Sequence, residues 1–333
     1  MTYLTLTSSI SSVRSLCRSG RLLAFLLLIP CFSCSSEHKA EDDRAEQPLA
    51  VAVTKTIDCL PLYVAEEMGI AGSMGYRLTL VDMPSREDGE VALMLGKVCG
   101  VMTDSLRARN LMARMEESKR INDVLQRQEK SLEERIAKAK GQEKKELVQN
   151  LQALRKKHVA MKVDTLSLFL HDNMPLFLFT NVRARIKQTK QLTDKMIAVD
   201  RKGSERLYAE QIADSAEIAD KVFYVNILSM PIRQHMLMNN SIDAVVVTEP
   251  VAALLCAAGH KALRHNVRRN ERMGCLVTAR GNEDIQKIYN AACDSINKYG
   301  IHHFDSVLTQ RMNVTKQALR HLTTKKMEKM STP

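Results

Sequence analysis

The sequence predicts an α/β fold of two lobes with a helical hairpin inserted between them. Three observations carry this reading. Strands alternate with helices from residue 50, the alternation resumes from residue 165, and the stretch between loses that rhythm and becomes charged and helical.

Ala50–Val53 is a short apolar run closed by polar residues, and Leu60–Met68 has helical spacing with Pro61 in its first turn, where a missing N–H costs nothing. Arg77–Val81 alternates as a strand, Glu87–Leu95 reads as a helix, and Val98–Met102 is a strand again, closed by the capping cluster Thr103-Asp104-Ser105. Such a β-α-β-α-β order favours a mostly parallel sheet covered by helices on both faces. In the second half, Thr165–Leu170, Leu176–Thr180, Met196–Val199, Val222–Val225, Ile242–Val247 and Met273–Ala279 read as strands. Helices are expected over Glu205–Asp214, Pro231–Asn239, from Pro250 through Cys256, and across 282–325.

From Leu106 to Met161 there is no Pro and one Gly. Leu147, Leu151, Leu154, His158 and Met161 step by four and three, and Leu111, Met115, Ile121, Leu125, Leu132 and Ile136 form a looser stripe. Gly141 sits where a turn folds the two arms together, which predicts an antiparallel helical hairpin of coiled-coil type. The expected organisation is therefore 1–33 signal, 34–48 tether, 49–105 with 251–333 as lobe one, 106–161 as the hairpin, and 162–250 as lobe two.

The chain has 333 residues, 45% apolar and 26% charged, which excludes disorder as its main state. It has no Trp and 18 Met, so a pocket must be walled by aliphatic, Met and polar groups. The formal charge of +11 concentrates in 112–158, 261–272, 311–333 and the N-terminus, without aromatic interleaving or a nucleic-acid motif. That distribution describes basic surface patches and no nucleic-acid partner.

Arg14, Arg18 and Arg21 precede an apolar run from Leu22 to Phe32, the layout of an export signal and too short for a permanent span of a bilayer of about 30 Å. The run ends in Cys31-Phe-Ser-Cys34. This resembles a bacterial lipoprotein signal, which implies acylation of Cys34, behind the small Ser33, and anchoring to the cell-envelope membrane with the body facing the periplasm. The polar stretch 35–48 reads as the tether. Cys59, Cys99, Cys256, Cys275 and Cys293 show no ligand spacing and read as small buried hydrophobes, although export also permits a disulfide.

Four stretches, in order, are similar to one family. Ala50–Ile70, Gly96–Asp104, Leu192–Val199 with Gly203-Ser204, and Met238–Pro250 resemble the periplasmic substrate-binding proteins of ABC importers in the nitrate, sulfonate, taurine and thiamine-pyrimidine group. Cys99 stands where that group commonly has Asp, and the Gly before the Met196 strand is missing. The resemblance covers about 49–105 and 165–300 and lacks the 106–161 insertion. It implies a two-lobed periplasmic-binding-protein-like fold that closes on a small solute and delivers it to an importer permease.

Ligands of open α/β sheets gather at the C-terminal ends of strands, where helix N-termini offer free N–H groups. Those positions are Thr56, Asp58 and Cys59, then Thr103 and Asp104, then Gly203 and Ser204, then Thr248 and Glu249. Asp104 and Ser204 serve equally well as helix caps, Asp58 as the cap of the helix at Leu60, and Cys59 as packing. Glu249 beside a helix start calls for a donor: an amine, an aminopyrimidine or a neighbouring Arg. With the family's range, the solute classes in view are thiamine-pyrimidine-like, amine or sulfonate-like.

Nothing in the chain has the cysteine-rich iron motif of pyrimidine synthases on this scaffold, a Ser/His/Asp order or a phosphate loop, so binding without catalysis, metal or cofactor is expected. A second reading keeps the fold but gives the work to 106–161, whose Leu and Met stripes bordered by Lys and Glu suit docking of another envelope protein.

Overall fold

The strand alternation read from residue 50 builds two separate sheets in the computed structural model, which describes residues 47–263 and 273–333. The first contains β1 (Gln47–Val53), β2 (Tyr76–Asp82), β3 (Gly100–Asp104), β4 (Leu166–His171) and β9 (Gly274–Ala279) in the order β2-β1-β3-β9-β4. The second contains β5 (Leu176–Thr180), β6 (Met196–Val199), β7 (Phe223–Asn226) and β8 (Ala244–Thr248) in the order β5-β8-β6-β7. Both are mixed by a single reversed strand: β9 runs antiparallel to β3 and β4, and β5 antiparallel to β8, while the other strands of each sheet share one direction.

Helices α1 (Leu60–Glu67), α2 (Ile70–Ser73) and α3 (Arg86–Met94) link the first strands. Further on come α4 (Ser105–Lys138), α5 (Gly141–Arg155), α6 (Ser204–Ser215), α7 (Met230–Met238) and α8 (Val251–Ala257). Helices α9 (Asp284–Tyr299), α10 (Asp305–Gln310) and α11 (Lys316–Leu319) close the chain. Burial explains their placement. On α9, Ile285, Ile288, Tyr289, Ala292, Cys293 and Ile296 recur at helical spacing and are all buried, giving one apolar stripe that packs with α1 in the core of lobe one.

Three expected boundaries move. Gln47 already pairs with Tyr76, so the last two residues assigned to the tether belong to β1. Lobe two does not begin at 162, because β4 lies antiparallel to β9 in the first sheet and the chain changes lobe at 172–175. Two neighbouring strands of similar composition do not reveal their partners in sequence, since pairing is a long-range choice. The division at 250 also softens: Val251, Ala252 and Leu255 of α8 pack in lobe two while Ala253 joins the core of lobe one.

The 106–161 segment folds into α4 and α5, joined at Gly141, whose φ of +64° is a conformation that favours glycine. At 34 residues α4 is about 51 Å long. Leu147, Leu151 and Leu154 are buried against it, whereas Ile121 of the looser stripe stays exposed. Arg155–Glu133 at 2.7 Å ties the two helices together, and His158, just beyond the end of α5 rather than in the expected stripe, pairs with Glu129 of α4 at 2.6 Å. No helix among the described residues is long and apolar enough to cross a membrane. The expected signal 1–33, the expected acylation site Cys34 and the expected tether up to residue 46 lie outside the described residues.

Candidate functional site

The C-terminal ends of the strands from both lobes converge, and two different surfaces form there. One is a buried, charged seam. Asp104 ends β3 and caps α4, its Oδ1 accepting from the backbone N–H of Leu106 and Arg107. The same oxygen accepts from Ser204 of the other lobe, from N at 3.1 Å and Oγ at 2.8 Å. One turn into α4, Arg107 donates to Glu90 of its own lobe at 2.6 Å and to Asp200 of the other at 2.7 Å. Arg86, at the start of α3, reaches Glu205 across the cleft at 3.2 Å, and Glu205 also pairs with Arg233 at 2.8 Å.

Gly203 is required at this seam by close approach, since a Cβ there would come within 2.9 Å of Asp104 Oδ2. Burial, partly offset by Arg86, raises the Asp104 carboxyl from 3.8 to about 6. His171, at the end of β4, is buried against Gly274 and stacked on Tyr289, and burial lowers its pKa from 6.5 to about 4.

The second surface is a cavity of about 170 Å3 between the lobes. Lobe one supplies 54–56 after β1 and 82–86 after β2, and the opposite wall is 228–231 after β7 with Val251. Met83, Pro84, Leu228, Met230 and Val251 give it apolar walls, and Lys55 and Asp82, 3.7 Å apart, also line it.

The sequence-derived residues divide between these surfaces and the frame around them. Thr56 lines the cavity, with its hydroxyl 2.9 Å from that of Thr54. Asp104, Gly203 and Ser204 come together in the seam, joined by Thr103, whose Oγ1 donates to Glu90. Asp58 is fully buried behind Arg86, 3.9 Å from its Nη2, and neither carboxylate oxygen has a hydrogen-bond partner among the described residues. Cys59 is packed in the core, where burial pushes its thiol to about 12, and all five cysteines of the body are unpaired among the described residues. Thr248 is buried with its Oγ1 unpartnered among the described residues.

Glu249 finds its donor within the chain rather than in the cleft. Its carboxylate accepts from Thr323 N, Thr323 Oγ1 and Thr324 N, because the C-terminal segment runs outside helix or sheet there and its N–H groups need acceptors. Sequence reasoning passed over Arg86, Met83 and the 228–231 loop. The strand-end rule applied to β2 and β7 would have found them, but Arg86 lies in the first turn of a helix and Met230 looks like core.

No protein-family model matches the chain, and no curated protein matches it in sequence. Solved structures do match. The alkanesulfonate-binding protein SsuA from Xanthomonas axonopodis pv. citri, bound to MOPS, aligns at a TM-score of 0.57 and 12% identity over 85% of this chain and 87% of that one. The periplasmic aliphatic sulphonate binding protein SsuA from Escherichia coli gives 0.56 and 11% over 85% and 86%. The periplasmic nitrate-binding protein NrtA from Synechocystis PCC 6803 gives 0.53 and 9% over 80% and 66%. The chain carries the two-lobed α/β fold of periplasmic substrate-binding proteins.

Proposed function

We propose that the chain is a solute-binding protein of the cell envelope, held by a lipid on Cys34, that delivers a small polar solute to an ABC importer and performs no catalysis. The observation that supports this best is the cavity walled by both lobes at the C-terminal ends of β1, β2 and β7, where open α/β sheets hold ligands. Seam and cavity share the cleft, so a solute entering there contacts both lobes and is released when they part.

The test is a thermal-shift panel on the purified full-length chain with thiamine precursors, sulfonates, nitrate, polyamines and other small amines. A ligand that binds only the native state at about 100 times its Kd adds about 2.7 kcal/mol, a readily measured rise in Tm. Ser229→Phe, which fills the cavity from the 228–231 loop, is expected to abolish the rise. A well-folded protein that responds to nothing across a broad panel counts against solute binding.

One observation favours a second reading, in which the hairpin docks another envelope protein. The first turns of α4 are held by lobe two through Asp104–Ser204, Arg107–Asp200 and Asn110–Lys202, so the hairpin is rooted in the seam itself. Deletion of 112–158 separates the readings: solute uptake that survives it removes the functional support for docking.

A further inference from the structure

Resting on the lipid-anchored reading of Cys34, we propose that the tip of the α4–α5 hairpin docks on the anionic phospholipid headgroups of the membrane that holds the chain. Position comes first. Helix α4 leaves the C-terminal end of β3, where Asp104 caps it, and packs back along β3, β9 and β4. At Asn122 it has reached the opposite edge of the sheet. Asn122 exchanges hydrogen bonds with the Val159 backbone, and the chain continues through Lys162, whose N–H donates to Met94 O, into the start of β4. Met94 ends α3 shortly before β3 begins, so this is the edge at which the parallel strands start. Residues 123–138 of α4 lie beyond it, a projection of about 24 Å.

Gln47, the first residue of β1, lies on the same edge, because β1 runs parallel to β3. The chain that leads back to Cys34 therefore leaves the body on the side to which the hairpin projects. Residues 35–46 span at most about 40 Å when extended, against the projection of about 24 Å, so an anchored chain can set the tip on the lipid surface. The cleft, at the other end of these strands, stays clear of the lipid.

Charge comes second. Arg135, Lys138, Lys140, Lys144 and Lys145 surround the turn and are all exposed, with Glu143 the one acid from 135 to 145. None of the five has an ion-pair partner among the described residues. Arg135 and Lys138 suit the negative end of the α4 dipole, so folding accounts for them. Lys140 and Lys144 oppose it. Lys140 is the N-cap of α5 and makes no capping hydrogen bond, and Lys144, in the first turn, adds a second cation at the positive end of that helix. Local choices that work against the fold mark function.

The tip suits a headgroup layer better than a protein. The last exposed large apolar side chain along α4 is Val124, and none follows in α5. A protein interface needs about 1,000 Å2 around a desolvated apolar centre, which a convex polar turn lacks. An anionic headgroup layer attracts clustered Lys and Arg through its field, without a matched pocket.

The full chain is produced in a bacterial host, purified from its membranes and added to preformed vesicles of phosphatidylcholine alone or mixed with phosphatidylglycerol. A neutral acetylating reagent then labels accessible lysines, read by mass spectrometry. With phosphatidylglycerol, Lys140, Lys144 and Lys145 are expected to react about fivefold more slowly than on phosphatidylcholine, while the exposed Lys190 and Lys221 of lobe two are unchanged. In about 1 M salt, where the screening length is about 3 Å, the protection should disappear. Arg135→Glu combined with Lys138→Glu keeps the three reporting lysines and is expected to remove most of the protection in a chain that stays folded by circular dichroism.

Equal tip reactivity on both kinds of vesicle overturns the docking, and if the chain carries its lipid and floats with both, the anchor stands without it. Protection of Lys190 and Lys221 as strong as that of the tip shows adsorption of the whole body and overturns the assignment of the tip. Protection that survives salt and the double variant overturns its ionic basis. Tip lysines protected in the native envelope but not on phosphatidylglycerol vesicles assign the tip to an envelope protein instead. A chain without the lipid that floats only with phosphatidylglycerol vesicles, its tip protected, keeps the docking and removes the anchor from the proposed function.

Discussion

The two surfaces between the lobes have opposite chemistry. The seam joins Asp104, Arg107, Asp200, Ser204 and Glu205 through buried charges, while the cavity beside it is walled by Met, Pro, Leu and Val. Seam contacts are short and run directly from one lobe to the other, as Ser204 to Asp104 at 2.8 Å shows. Closure is thus supported by the chain's own groups. The cavity, relieved of that task, need only match a solute in shape and polarity. A polar residue at a strand end can therefore serve the frame rather than the ligand, and both uses occur within this one cleft.

The largest effect that would break the comparison lies in the seam. Arg107 is 1% exposed and holds Glu90 and Asp200 on opposite lobes, so Arg107→Ala leaves buried Asp200 without its cation and Glu90 with Arg114 alone. Removing one member of a buried pair costs about 3–5 kcal/mol. A drop of that size in the urea-unfolding free energy is expected, together with looser lobes by small-angle scattering. Ser229→Phe in the cavity should abolish binding with a much smaller change in stability. If the two variants destabilise equally, the functional division between seam and cavity is wrong.

The next effect is in pH dependence. The Asp104 carboxyl is raised from 3.8 to about 6, so the folded state holds its proton more tightly than the unfolded chain. Its contribution to stability is full below pH 3.8 and is lost as pH rises towards 6. His171 acts in the other direction: its pKa falls from 6.5 to about 4, so its contribution is present above pH 6.5 and is lost as pH falls towards 4. In wild type the two slopes oppose each other over much of the same window. Asp104→Asn removes one of them. The difference in unfolding free energy, wild type minus variant, should fall by about 1.4 kcal/mol per pH unit between about pH 4 and 6. A difference flat with pH would show that Asp104 is not titrating in the seam.

The fold was largely legible because its signals are local. Strand and helix positions follow from apolar spacing and from caps such as Asp104 and Ser85, whose side chain accepts from Asp88 N. Pairing was less legible: nothing in Leu166–His171 marks it as the partner of β9 rather than of β5. The site was legible only in its polar half. Asp104, Gly203 and Ser204 stand out as capping residues, whereas Met83, Leu228 and Met230 carry no chemical motif and face the cavity because of where two lobes meet. Glu249 shows the limit of reading a carboxylate by its neighbours in sequence, since its donors lie 74 and 75 residues away.

The smallest effect sharpens the comparison from outside the cleft. Arg155 bridges α5 to Glu133 of α4 at 2.7 Å, about the Arg107–Asp200 distance, but its side chain is 56% exposed and that of Glu133 51%. Water solvates both charges whether or not they touch, and salt screens what remains, so such a pair contributes about 0–1 kcal/mol. Arg155→Ala should therefore shift the unfolding free energy by less than about 1 kcal/mol, with most of that shift gone in 0.5 M salt. If it matched Arg107→Ala, bond length rather than burial would govern these ion pairs. Equal distances with several-fold different costs would instead show that the cleft's low-dielectric surroundings give the seam its hold on the two lobes.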